Sequence, residues 1–149
     1  MSDSGSLVVF DHHFLAKAVT DSASPESEAL DALRRHCPNK LLFNDSQGRL
    51  QEIYEELLGP RFPFIFTELL TRLGTEDKMV ARRQRWPVGE IPRRQIRYWQ
   101  LFGAALAVRP TYIVTGIDVW RRHAEQFEDE YSTRILYPDE FTNLLGQIP

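Results

Sequence analysis

The chain has one cysteine, Cys37, so neither an internal disulfide nor a cysteine-based zinc site is available, and nothing requires an oxidising compartment. Lysine is scarce, and Lys17, Lys40 and Lys78 are all there is; arginine carries the positive charge. An excess of that charge is also missing. Lys and Arg total 18 against 21 Asp and Glu, a net −3, which argues against a generic nucleic-acid coat. The longest apolar stretch, Tyr98 to Val108, is broken by Gln100 and falls short of the ~20 residues a membrane span needs. There is no Gly-rich phosphate loop, no nucleophile elbow, no internal repeat and no low-complexity segment. The polar, acidic start, Met1 to Ser6, lacks the basic-then-apolar layout of a secretory signal, so a cytoplasmic protein is expected.

What is present is ordinary globular material. Apolar residues make up 42% and charged residues 26% of 149 residues, which fits one folded domain. A polar tail, 1–6, precedes a single domain, 7–146. The run Leu7-Val-Val-Phe10 reads as a strand buried on both faces. Pro25 to His36 has helical periodicity, and Lys40-Leu-Leu-Phe43 is a second short strand. Asn44, Asp45 or Ser46 is placed to cap the following helix, which carries Leu50, Ile53, Tyr54 and Leu57 and stops at Gly59-Pro60. A helix from Pro63 to Leu73 follows, then a weak strand near Met79 to Ala81, and a helix from about Arg93 to Val108. Thr111 to Thr115 is the clearest strand, ended by Gly116. A charged helix from Asp118 to about Glu130, a strand Arg134 to Tyr137 and a helix opened by Pro138 complete the chain. Short apolar strands alternating with helices predict a three-layer α/β/α sandwich around a mostly parallel sheet.

Ligands of such sheets bind beyond the carboxyl ends of the strands. The residues there are Asp11-His12-His13, Asn44-Asp45-Ser46 and Thr115-Gly116-Ile117-Asp118. Asp45 and Asp118 serve equally well as helix caps. Asp11 is the stronger functional candidate, because Phe14-Leu15 promises only a short helix after it. The string Asp11-His12-His13 matches the signature of the DHH phosphoesterases, which need further upstream aspartates where this chain has only a short tail. His12 and His13 are candidate metal ligands or phosphate donors, while His36 and His123 read as surface side chains. Cys37 has no evident catalytic dyad.

A broader resemblance spans Leu7 to Leu145. Leu-Val-Val-Phe-Asp11 looks like the opening strand and first acid of the PIN-domain family, particularly the toxin-like members of bacterial toxin–antitoxin pairs. Ser46 to Phe62 is similar to the second motif, with its acid at Glu52; Ala107 to Gly116 resembles the approach to the fourth, and Ile135 to Leu145 the closing strand and helix. The resemblance implies a ribonuclease whose carboxylates, Asp11, Glu52 and Asp118, hold Mg²⁺ or Mn²⁺ beside Thr115. Such carboxylates repel one another unless a hard divalent cation neutralises them, and the cation activates a water for attack on a phosphodiester. It also implies an antitoxin protein as partner.

The sequence departs from this pattern at the third motif. Pro92 to Trp99 contains no acid and carries Arg93, Arg94 and Arg97, while the fourth motif has Ile117 between Gly116 and Asp118. An arginine that pairs with Asp11 or Glu52 would take over the electrostatic role of the metal. The expected function is therefore a degenerate PIN-like domain acting by RNA or partner binding, with an active Mg²⁺- or Mn²⁺-dependent endoribonuclease as the alternative. Arg82, Arg83, Arg85, Arg93, Arg94 and Arg97, interleaved with Trp86, Tyr98 and Trp99, suit single-stranded RNA. Phe62 to Phe66 with Leu69 and Leu70 offers either a core helix or a homodimer or partner face.

Overall fold

Five parallel strands occupy the centre of the computed structural model, in the order β3-β2-β1-β4-β5. It describes residues 6–35, 40–45 (backbone alone for 42–45), 47–73, 79–83 and 97–146. The strands are β1 (Leu7–Phe10), β2 (Lys40–Asp45), β3 (Met79–Arg82), β4 (Tyr112–Val114) and β5 (Arg134–Leu136). Around them lie α1 (His12–Thr20), α2 (Pro25–Arg35), α3 (Arg49–Leu58), α4 (Phe62–Leu73), α5 (Trp99–Ala107), α6 (Asp118–Arg121), α7 (Ala124–Tyr131) and α8 (Pro138–Gly146). The expected α/β/α sandwich is what forms. Among the described residues, no helix is long and apolar enough to cross a membrane.

Both faces of β1 and β4 are apolar because both are covered. Val8, Val9, Phe10, Ile113 and Val114 are fully buried. Phe10 stacks on Phe14 of α1 at 3.9 Å between centroids and meets Phe141 of α8 edge-on at 6.1 Å. A second aromatic group joins α5, α6 and α7, with Phe102 4.5 Å from Trp120 and 4.8 Å from Phe127. Helix α5 is buried from Leu101 to Ala107, as expected of a helix that is apolar all round.

Local differences from the sequence reading have identifiable causes. Asp11 does cap a helix: its Oδ1 accepts the Phe14 N–H at 2.9 Å, and α1 runs nine residues rather than stopping short. The cap of α3 is Gly48, in the left-handed region at φ 80°, with no side-chain hydrogen bond, rather than Asn44 or Asp45, and Ser46 lies outside the described residues. The charged helix after β4 is two helices, α6 and α7, separated by Arg122 and His123. Ile117 is the residue before α6, which leaves Asp118 inside the first turn. Two caps follow familiar chemistry: Ser24 Oγ accepts the Ser27 N–H at 3.0 Å ahead of Pro25, and Glu140 Oε1 accepts the Tyr137 N–H at 2.8 Å ahead of Pro138. On α4, Ile65, Leu69 and Leu73 are buried while Phe64 is exposed, so the helix is a core element with one aromatic ring outside.

Candidate functional site

The chain leaves β1 toward β2 and β3 on one side and returns to β4 on the other, so strand order reverses between β1 and β4. A crevice opens beyond the carboxyl ends of strands at such a point. The register pairs Phe10 with Val114, and the next residue along each strand is Asp11 and Thr115. Both are buried, Asp11 to 1% exposure.

Burial drives the Asp11 carboxyl above its ordinary range, because a charge there loses its hydration. The Thr115 hydroxyl, the Phe14 and His13 backbone N–H groups and the nearby His13 ring oppose that rise without cancelling it. Oδ1 serves the helix cap, and Oδ2 is buried without a hydrogen-bond partner. Thr115 Oγ1 in turn accepts the Ile117 N–H at 3.0 Å, which shapes the turn into α6. Beneath the crevice, Tyr54 of α3 donates its hydroxyl to the Phe10 carbonyl at 2.6 Å. Burial, helped by the Asp11 charge, holds that phenol protonated.

Three rings and an arginine form the mouth. His12 is buried, and its Nδ1 has no hydrogen-bond partner. Desolvation, aided by the positive potential of His13, Arg61 and Arg97, lowers its pKa to about 4, so the imidazole is neutral at physiological pH. Tyr98 stands edge-on to the His12 ring at 4.4 Å, and its hydroxyl lies 3.1 Å from His13 Nε2. The Arg97 guanidinium sits 4.8 Å above the Tyr98 ring. The turn that carries this pair is pinned by the Trp120 indole N–H, which donates to the Arg97 carbonyl at 2.8 Å. Tyr98 adopts φ 60°, a left-handed conformation uncommon for a residue with a side chain.

The other expected site residues stand elsewhere. Glu52 is exposed on α3, 65% at the side chain, with Arg49 3.9 Å away, whereas Tyr54 of the same helix faces the crevice floor. Asp118 is exposed and accepts the Tyr137 hydroxyl at 2.8 Å. Among the described residues no group of three His, Cys, Asp or Glu side chains is arranged to hold a metal. Among the described residues Asp11, Glu52 and Asp118 are not gathered into a group that could hold an ion, so this donor set does not fit Mg²⁺ or Mn²⁺. Arg97 stacks on Tyr98 and forms no ion pair with Asp11 or Glu52. Arg93 and Arg94, with Arg85, Trp86, His36 and Cys37, lie outside the described residues.

No family model matches the chain, and neither does any curated protein or solved structure. The site must be read from its own chemistry. Tyr54 carries no distinctive signal in the sequence, and His12, a candidate there, does not show its neutral state. Tyr54 is one of several apolar positions on α3, and the character of His12 depends on burial that only the α1 packing reveals.

Proposed function

We propose that this chain is a PIN-like domain that binds single-stranded RNA at the β1–β4 crevice and does not cleave it. The observation that carries the reading is the mouth itself: Arg97 stacked on Tyr98, Tyr98 bonded to His13, with the crevice behind them. Guanidinium groups contact phosphate and exposed rings stack on bases, and unpaired strands offer both. The parallel sheet with Asp11 ending its central strand supports the PIN-like part of the reading. The wide separation in environment of Asp11, Glu52 and Asp118 supports binding over hydrolysis.

The reading is tested by fluorescence anisotropy with labelled single-stranded and duplex RNA at about 50 and about 200 mM salt, where phosphate contacts weaken steeply. Preferential, salt-sensitive binding of the single strand is expected, with the RNA recovered intact after incubation with Mn²⁺. The competing reading, a metal-dependent ribonuclease related to toxin–antitoxin enzymes, has one observation in its favour: the unpartnered Oδ2 of Asp11, which a cation would satisfy. RNA cleavage, or a thermal stabilisation by Mn²⁺ that Asp11→Ala abolishes, would decide for that enzyme.

A further inference from the structure

Two buried polar atoms on the adjacent residues that follow β1 lack hydrogen-bond partners, Oδ2 of Asp11 and Nδ1 of His12. Their residues are exposed to only 1% and 3%. Unpaired buried polar atoms are uncommon in native proteins, and a ligand that supplies their hydrogen bonds is one explanation of them. Both belong to the turn that starts α1, and the Tyr98 ring packs against the His12 ring.

We infer that this pair reads the Watson–Crick edge of one adenine or cytosine, with the Tyr98 ring as its stacking surface. The inference rests on the RNA-binding reading and deepens it. Ionised, as the mildly alkaline test below requires, the Asp11 carboxylate accepts only, so Oδ2 calls for an N–H donor. A neutral imidazole carries its proton on either nitrogen, so Nδ1 can donate to a ring nitrogen. Adenine and cytosine each present an exocyclic amino donor beside an acceptor ring nitrogen, which is the complement of that pair. Uracil presents the reverse, a carbonyl oxygen beside a ring N–H, and would set an acceptor against Oδ2. The base enters by parting the Tyr98–His13 hydrogen bond and the Tyr98–His12 ring contact, exchanging them for base–ring stacking. The backbone phosphates then lie toward Arg97 and Arg61, the two arginines whose charge the His12 ring feels.

The experiment compares short homopolymers of adenylate, cytidylate and uridylate with an abasic ribose-phosphate strand of the same length, by anisotropy at mildly alkaline pH. Adenylate and cytidylate strands should bind about tenfold more tightly than uridylate, and the abasic strand more weakly still. Tyr98→Ala should cost the base-bearing strands about tenfold and the abasic strand much less. The decisive variant is Asp11→Asn, which keeps an N-capping oxygen for Phe14 and places an amide donor where Oδ2 was. It should reverse the order, so that uridylate binds best. Circular dichroism establishes that each variant is folded. Equal binding of all four strands, or an order that Asp11→Asn leaves unchanged, overturns base reading while RNA binding stands. Failure of every strand to bind removes both readings.

Discussion

Asp11 and His12 are neighbours in the chain and opposites in their response to pH. The carboxyl of Asp11 is raised above 3.8 in the folded protein, chiefly by burial. As pH climbs past 3.8 the unfolded chain ionises first, the folded state holds the extra proton, and stability falls until the folded carboxyl has titrated. His12 is lowered from 6.5 to about 4, again chiefly by burial. As pH drops below 6.5 the unfolded chain gains the proton first, so stability falls toward acid, and the His12 contribution is lost fully below about 4. The two slopes therefore oppose each other wherever the Asp11 window, which opens at 3.8, overlaps the His12 window of about 4 to 6.5. Removing one should unmask the other. Relative to wild type, Asp11→Asn should gain stability progressively as pH rises from about 4, and His12→Gln should gain it progressively as pH falls from 6.5. Urea midpoints across that range read both, and pH-independent differences would contradict the account.

At the scale of elements, two side chains tie helices to what they cover. Tyr54 fixes α3 to the end of β1 through its 2.6 Å bond to the Phe10 carbonyl. Tyr54→Phe keeps the ring and leaves that carbonyl one bond short, so urea unfolding should show a loss of about 1–2 kcal/mol. Arg72 of α4 reaches further. Its guanidinium donates to the Ala18 carbonyl on α1, to the Ser27 carbonyl and hydroxyl on α2, and to Asp31 at 2.8 Å. Arg72→Met preserves the apolar stem and strands those acceptors, which should cost about 2–3 kcal/mol. Asp31→Asn removes only a partly exposed charge and should cost less than about 1 kcal/mol by the same measurement. The position of most elements was readable from periodicity and punctuation: β1 and the limits of α2, α3 and α4 follow from the apolar runs, Pro25 and Gly59-Pro60. Helix α1 was not, because His12-His13 hides an apolar stripe of Phe14, Leu15 and Ala18 that only tertiary burial makes visible. The break between α6 and α7 was equally hidden, since Arg122 and His123 lie within a charged stretch that has no Gly or Pro.

Taken as a whole, the molecule is an open sheet, and an open sheet must protect its edges. The parallel sheet was implied by alternating elements, and with it the interest of the strand-end residues Asp11 and Thr115; that the order reverses between β1 and β4 was not. The convergence of Asp11, Glu52 and Asp118 was expected from the family resemblance alone, and the face that α3 packs inward carries Tyr54, leaving Glu52 outward. Edge protection is a further whole-molecule property that no local pattern announces. Strand β5 is three residues long, and Arg134 and Leu136 bond back to β4 through the Arg134 N–H and the Leu136 carbonyl. That alternation turns the Ile135 carbonyl toward the open edge, where the Arg121 guanidinium covers it at 2.6 Å while also reaching Glu140 and stacking on Tyr137. A carbonyl already bonded to a guanidinium and screened by it is a poorer acceptor for a strand of another molecule. Arg121→Ala should uncover it and favour edge-to-edge association, seen as a mass that grows with concentration in light scattering. Arg121→Lys, with a single compact donor group in place of the fork, should give an intermediate effect. A variant that scatters like wild type at every concentration would mean that the shortness of β5 and the exposed Arg134 charge already suffice to guard the edge.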